Sequence, residues 1–113
     1  MSKRKAEVQI AFLLEMIEKI EFIVKRHGNV VSALEDTEGQ LALLMAISQI
    51  GETLNKIEQS VITDLGLEVE QKGAYETRNF IVHDYDGVDL YLIEKVIDEY
   101  FPEMKIKLER FAL

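Results

Sequence analysis

The stretch LLMAISQIGETLNKIEQSV, residues 43–61, carries the clearest indication of the fold. Its apolar residues recur at steps of three and four, which places them on one stripe of an α-helix. We therefore predict a long helix from about Glu38 to Ile62 with this stripe in the protein core. The stripe consists of Leu43, Ile47, Ile50, Leu54, Ile57 and Val61.

Two features interrupt the apolar surface of this helix. Gly51 lies in its interior, where glycine costs about 1 kcal/mol relative to alanine and is tolerable if another backbone approaches closely. Ser48, Glu52 and Asn55 form a second, polar stripe at i, i+4 and i+7. We interpret this polar stripe as a solvated face of the helix rather than as part of a functional site.

The segments before the long helix also carry helical signals. A first helix is predicted from about Lys5 to Arg26, and His27-Gly28-Asn29 then provides a stop with a left-handed cap. Residues 30–35 are expected to form a short connector or a helical turn. Thr37 and Gln40 fit a capping box, with Thr37 as the N-cap of the long helix and Gln40 at its N3 position.

Further helices are predicted after the long helix, and no segment shows the sustained alternation of a strand. A third helix covers about Glu68 to His83, and Asp86-Gly87 follows it as a turn. Asp89 caps a fourth helix that continues to about Tyr100, and Pro102 suits the first turn of a last helix. Since short connections favour antiparallel neighbours, the sequence predicts an all-α fold, an up-and-down bundle of four to five helices.

Length and composition limit the number of domains and the kinds of functional site that the chain can have. A chain of 113 residues is expected to form a single domain, here residues 1–113, with one core. It has no cysteine, so neither a disulfide framework nor a thiolate metal site is expected. The formal net charge of −8 argues against broad electrostatic binding to nucleic acid. A nuclease with this net charge must cluster its basic side chains at the active site, or a partner protein must supply them.

Hydropathy predicts where the protein resides. The N-terminal residues 1–5 are basic, but no uninterrupted apolar run follows them, so we expect no signal peptide. No segment approaches the roughly 20 apolar residues of a membrane span, so we expect no membrane partner. The expected location is the cytoplasm, which the absence of cysteine permits.

Residues 78–85, RNFIVHDY, form the candidate functional stretch. Arg78 carries a permanent cation with a fork of donors that matches phosphate oxygens. His83 can accept and donate a proton near neutral pH, and Asn79 can orient its imidazole or donate to a phosphate. Tyr85 can stack on a base or hold a phosphate oxygen. Because RNA supplies its own nucleophile, the 2′-hydroxyl, a histidine and an arginine can suffice for strand cleavage without a metal.

Helical geometry determines which of these side chains can meet. Asn79 and His83 share a face at i, i+4, and Arg78 and Tyr85 share another at i, i+7. Arg78 and His83 lie about 140° apart on an ideal helix. Either the helix therefore ends near His83 and the chain turns, or the site forms where two copies meet across a twofold axis.

Three parts of the sequence resemble a known family. Arg78-Asn79-Phe80-Ile81-Val82-His83-Asp84-Tyr85 is similar to R-[polar]-x3-H-x-Y, the signature of the HEPN superfamily and in particular of the HepT-like toxins of prokaryotic toxin–antitoxin pairs. Asp86-Gly87-Val88-Asp89 looks like the G-V-D that habitually follows this motif in the family. Ile50-Gly51-Glu52 resembles the family's I-G-E in the preceding long helix.

The resemblance implies a homodimeric helical bundle with a composite cleft at the interface. It implies a metal-independent ribonuclease that acts on RNA rather than DNA and needs no cofactor, with Arg78 and His83 as the catalytic pair and Asn79 assisting. It also implies a minimal nucleotidyltransferase antitoxin as a partner. In some pairs of this family the antitoxin transfers AMP to the motif tyrosine, here Tyr85, and the added bulk and negative charge would block RNA.

Two other functions are open on sequence grounds. One is a non-catalytic module that holds a nucleotide or substrate for a separate nucleotidyltransferase, forming a tight complex without cleaving RNA. The other is an oligomeric helical scaffold in which Arg78 pairs with a carboxylate such as Glu76 or Asp84. In that scaffold His83 and Tyr85 only cap the end of a helix.

Overall fold

The computed structural model describes residues 3–111, which form α-helices joined by short turns. The helices are α1 Lys3–His27, α2 Val30–Glu35, α3 Thr37–Lys56, α4 Gln59–Leu65, α5 Glu68–His83, α6 Leu90–Lys95 and α7 Phe101–Phe111. A 3₁₀ turn, Tyr85–Gly87, follows α5, and a π turn, Val96–Tyr100, joins α6 to α7. Residues 3–111 contain no strand, which confirms the prediction of an all-α bundle.

Helix α3 is the central element of the bundle, since α5 and α1 both pack extensively against it. The apolar stripe predicted from the sequence lies in the core, with only Val61 partly exposed. Helices α1 and α7 add the other large apolar side chains. These include Ile10, Leu13, Ile17 and Ile20 of α1 and Phe101, Met104 and Leu108 of α7.

The chain before α3 follows the sequence prediction closely. Helix α1 begins and ends near the predicted residues, and Gly28 then takes a positive φ of 99° that ends it. The predicted connector at residues 30–35 is itself the short helix α2. Its N-cap is Asn29, whose side-chain oxygen accepts a hydrogen bond of 2.7 Å from the backbone N–H of Ser32.

The predicted capping box at the start of α3 is wrong by one residue. Asp36 is the N-cap, and its carboxylate accepts the backbone N–H of Gly39 at 2.8 Å. That hydrogen bond holds the pKa of Asp36 below its ordinary value of 3.8. The Gln40 amide donates instead to the Leu34 carbonyl at 3.0 Å. A carboxylate is favoured over the Thr37 hydroxyl here because it also interacts with the positive end of the helix dipole.

The predicted long helix from residue 38 to 62 is interrupted after Lys56. Ile57 takes an extended conformation with φ −71° and ψ 140°, and α4 begins two residues later. The Leu54 carbonyl, freed by the break, accepts the Ile57 N–H at 3.3 Å and the Gln71 side-chain amide at 3.0 Å. The apolar periodicity continues across this bend, so the sequence pattern alone could not reveal it.

The two C-terminal helices run on from each other through the π turn, whereas the sequence predicted a fourth and a separate last helix. Asp89 caps α6 as predicted, accepting the Tyr91 N–H at 3.0 Å. The backbone then stays helical through the π turn, in which the Phe101 N–H donates to the Val96 carbonyl. Pro102 has no N–H to donate, and the wider turn just before it accommodates the missing hydrogen bond.

The helices of residues 3–111 include none with the length and apolar character needed to cross a bilayer.

Candidate active site

Close packing of α5 on α3 creates the site. A Cβ atom built on Gly51 would lie 2.6 Å from the Ala74 carbonyl oxygen and 2.8 Å from Arg78 Cβ. Gly51 therefore lets another backbone approach closely, as its position in the sequence predicted. The contact also places the Arg78 side chain beside Glu52, the residue that follows Gly51 on α3.

The Arg78 guanidinium is held by three neighbours. Its Nε lies 3.0 Å from Glu52 Oε2, and its Nη1 donates to Asn79 Oδ1 at 2.8 Å. Its Cζ lies 5.5 Å from the centre of the Tyr75 ring, within the range of a cation–π interaction. Arg78 is half-buried and keeps N–H donors available for a phosphate.

Glu52, which the sequence offered only as part of the I-G-E resemblance, is the carboxylate that pairs with Arg78. The alternative of an oligomeric helical scaffold paired Arg78 with Glu76 or Asp84. Neither ion pair forms within residues 3–111. In the polar stripe on α3, Ser48 and Glu52 are half-buried, whereas Asn55 is exposed as a solvated face requires. The adjacent Gly51 was the available signal, because a glycine that admits a neighbouring helix puts the next residue against that helix.

An open groove of about 540 Å³ lies between α3 and α5 beside this ion pair. Its polar wall contains Ser48, Glu52 and Arg78. Tyr85 reaches the groove from the 3₁₀ turn that follows α5. Exposed apolar side chains form much of the remaining wall, and they include Leu41, Met45 and Val82.

The groove brings together only some of the predicted site residues. Arg78 and Tyr85 both line it, and Asn79 contacts Arg78 directly. His83 is the last residue of α5, is exposed, and does not line the groove. Helix α5 does end at His83, as one of the two sequence alternatives required.

His83 and Tyr85 are both exposed. Across residues 3–111 neither side chain has a hydrogen-bond or ion-pair partner, so neither serves as a helix cap. The Tyr85 side chain is 41% exposed. Both side chains are therefore accessible from solvent.

The carboxylates and imidazoles of the described part of the chain do not gather into a cluster of three or more that could hold a metal ion. The ionisable groups near Arg78 instead form pairs. Glu52 Oε1 lies 3.7 Å from Lys56 Nζ, while its other oxygen contacts Arg78.

Comparison with known proteins gives one match. A family model described as ribonuclease HepT-like matches residues 13–111. No curated protein and no solved structure matched the chain. The matched residues contain most of α1, all the later helices and every residue of the groove. The all-α fold agrees with this match, and the chain belongs to the ribonuclease HepT-like family.

Proposed function

We propose that this chain is a metal-independent endoribonuclease, the toxin of a prokaryotic toxin–antitoxin pair, acting in the cytoplasm. The observation that supports this most is the family match over residues 13–111, which includes the motif of Arg78, Asn79 and His83. The geometry is compatible with it, since Arg78 is held in place at the edge of an open groove and His83 is free on the surface.

The proposed reaction uses the 2′-hydroxyl of RNA as the nucleophile. His83 accepts the proton of that hydroxyl, and its oxygen forms a bond to the adjacent phosphorus atom while the bond to the 5′-oxygen breaks. The leaving oxygen takes up a proton, so the products carry a 2′,3′-cyclic phosphate and a 5′-hydroxyl. Arg78 stabilises the negative charge that develops on the phosphate oxygens. Asn79 supports Arg78 through the hydrogen bond from its Nη1.

We propose further that a homodimer completes the site. Within one chain Arg78 lines the groove and His83 does not, so a second copy is the simplest source of the missing imidazole. Exposed apolar side chains near the motif are available for such a contact, and two copies would pool their cations on an otherwise acidic protein. They include Met45, Phe80 and Val82, with exposed fractions of 62%, 59% and 53%.

Mixed dimers test whether the site is shared. Arg78→Ala and His83→Ala chains carrying different tags are co-expressed, and the doubly tagged dimer is purified. Each mixed dimer then has one site with both residues, so about half of the wild-type cleavage rate is expected to return. Each variant purified alone is the control and remains inactive. Mixed dimers that stay inactive would contradict a shared site.

We propose that a minimal nucleotidyltransferase neutralises the toxin by transferring AMP to Tyr85. The phenol oxygen would attack the α-phosphorus of ATP, releasing pyrophosphate and the phenol proton. Tyr85 is exposed, has no hydrogen-bond partner in residues 3–111 and lines the groove that holds Arg78. AMP at this position would add bulk and negative charge where RNA is expected to bind.

Tyr85→Phe is expected to cleave RNA at close to the wild-type rate and to escape neutralisation. The substitution removes only the oxygen that would accept AMP, and it leaves the aromatic ring in the groove. The measurement is RNA cleavage after incubation with the nucleotidyltransferase and ATP, with the mass of the intact toxin recorded before and after. Tyr91→Phe is the matched control, since Tyr91 is 79% exposed and lies outside the groove, and this variant should still be neutralised. Transfer of AMP to the Tyr85→Phe chain would show that another residue is the acceptor.

A second candidate is the non-catalytic module that holds a nucleotide or substrate for a nucleotidyltransferase. The observation that favours it is that the groove of one chain contains Arg78 and Tyr85 without His83. The scaffold alternative has less support, because Arg78 is only half-buried and its partner is Glu52 rather than Glu76 or Asp84.

RNA cleavage by the purified chain in EDTA distinguishes these functions. The toxin is expected to cut RNA, whereas the module is expected to bind the nucleotidyltransferase tightly and leave RNA intact. The intact mass of the chain must be measured first, since a preparation that already carries AMP on Tyr85 is expected to be inactive. Unmodified protein that leaves RNA intact would favour the module.

A further inference from the structure

We propose that Glu52 is a positioning residue that fixes the Arg78 guanidinium in the orientation needed for cleavage. This inference rests on the proposed ribonuclease function and assigns a role to a residue outside the arginine–histidine motif. Glu52 acts through Arg78 and does not itself touch the RNA.

The first argument comes from how Arg78 is held along its length. The base of the side chain is fixed because Arg78 Cβ packs where α5 passes Gly51. The far end is fixed by Glu52 Oε2 on Nε at 3.0 Å and by Asn79 Oδ1 on Nη1 at 2.8 Å. A flexible arginine restrained at both ends has few rotamers left, so less freedom is lost when it binds a phosphate.

The second argument comes from the donors that stay available. A guanidinium carries five N–H donors. Glu52 engages the Nε donor and Asn79 engages one Nη1 donor, which leaves one donor on Nη1 and both on Nη2. Donors therefore remain on both Nη atoms, and a pair of them can bind two phosphate oxygens side by side. Glu52 thus engages the Nε–H of the guanidinium and leaves the N–H groups of both Nη atoms to other partners.

The third argument is that this ion pair differs from an ordinary surface pair. The side chains of Glu52 and Arg78 are 36% and 26% exposed, whereas those of the helical pair Glu15 and Lys19 are 61% and 58% exposed. The pair also joins two different helices, α3 and α5, beside a groove. Since the pair is less exposed and joins two helices, its two side chains have less freedom than those of an exposed pair within one helix.

Glu52 is expected to affect binding and turnover in opposite directions. Its negative charge beside Arg78 weakens the attraction for RNA, so removing the charge should lower KM. Its hydrogen bond orients Arg78, so removing the acceptor should lower kcat. Glu52→Ala is therefore expected to reduce kcat on the order of tenfold to a hundredfold with KM unchanged or lower. Glu52→Gln keeps an oxygen acceptor for Nε and should retain most of the wild-type kcat.

Steady-state cleavage of a short RNA by wild type, Glu52→Ala, Glu52→Gln and Asn55→Ala tests these expectations. Asn55 lies on the same polar stripe of α3 but is exposed and outside the groove, so its variant is the control and should behave as wild type. Thermal unfolding of each variant checks that the fold is intact. A Glu52→Ala variant with wild-type kcat, or a Glu52→Gln variant as impaired as Glu52→Ala, would overturn the positioning role.

A measurement without RNA separates this inference from the proposed function. The side-chain ¹⁵Nε–¹Hε signal of Arg78, assigned with an Arg78→Lys variant, reports whether its Nε–H is hydrogen-bonded. We expect this proton to exchange slowly in wild type and rapidly in Glu52→Ala. If exchange behaves in this way but wild type cleaves no RNA, the ribonuclease proposal fails while the orientation of Arg78 by Glu52 stands. Equal exchange in both proteins would overturn the inference whatever the activity.

Discussion

Replacing Arg78 or His83 with alanine is expected to lower the rate of RNA cleavage at least about a hundredfold, because each removes a group that acts in the transition state. Both variants should stay folded. His83 is exposed at the last residue of α5, and Arg78 is half-buried at the edge of the groove rather than in the core. The measurements are initial cleavage rates on a short RNA and thermal unfolding followed by circular dichroism.

Two further variants distinguish the loss of the Arg78 guanidinium from the mere loss of a positive charge. Arg110→Ala removes the same positive charge from the exposed surface of α7 and should cleave RNA at close to the wild-type rate. Arg78→Lys keeps the charge but loses the planar fork of donors, so it should recover only a small part of the lost activity. Full activity in folded Arg78→Ala or His83→Ala would remove that residue from the proposed reaction.

Replacing Gly51 with alanine is expected to lower the free energy of unfolding by about 2–3 kcal/mol, the upper part of the range for overpacked cores. The added Cβ would lie 2.6 Å from the Ala74 carbonyl oxygen and 2.8 Å from Arg78 Cβ. Both neighbours belong to α5 close to its backbone, so the whole helix must move away from α3. This movement would also pull Arg78 away from Glu52, and cleavage should fall with stability.

Gly73→Ala is the matched control for this substitution. Gly73 lies inside α5, and a Cβ built on it meets nothing within 4 Å. Alanine should therefore stabilise the protein by about 0.5–1 kcal/mol through helix propensity alone. Denaturation in urea compares the two variants with wild type. Equal stability of the Gly51 and Gly73 variants would contradict the close contact between α3 and α5.

The sequence predicted those parts of the fold that depend on residues close together in the chain. The stripe from Leu43 to Val61 identified the core face of α3 because helical periodicity is a local property. The bounds of α5 and the cap at Asp89 were also predicted correctly. The bend at Ile57 was missed because the apolar spacing continues through it. The N-cap was placed at Thr37 because a capping box also fits there, although the carboxylate of Asp36 is the stronger cap.

The site was harder to predict because it depends on which helices meet. The sequence named Arg78, His83 and Tyr85 from their chemistry and from the family resemblance. It included Glu52 only in the I-G-E resemblance and assigned it no partner, since only the packing of α5 on α3 places that residue against Arg78. Helical geometry did predict that Arg78 and His83 point away from each other, and the groove contains the first without the second.

The most direct test of the account is the chemistry of the RNA ends produced in EDTA. Unmodified wild type and His83→Ala are incubated with a defined RNA, and the products are identified by mass spectrometry. We expect wild type to produce fragments that end in a 2′,3′-cyclic phosphate and the variant to leave the RNA intact. Equal cleavage by both proteins, or cleavage by wild type only after a divalent metal is added, would contradict a metal-independent ribonuclease that depends on His83.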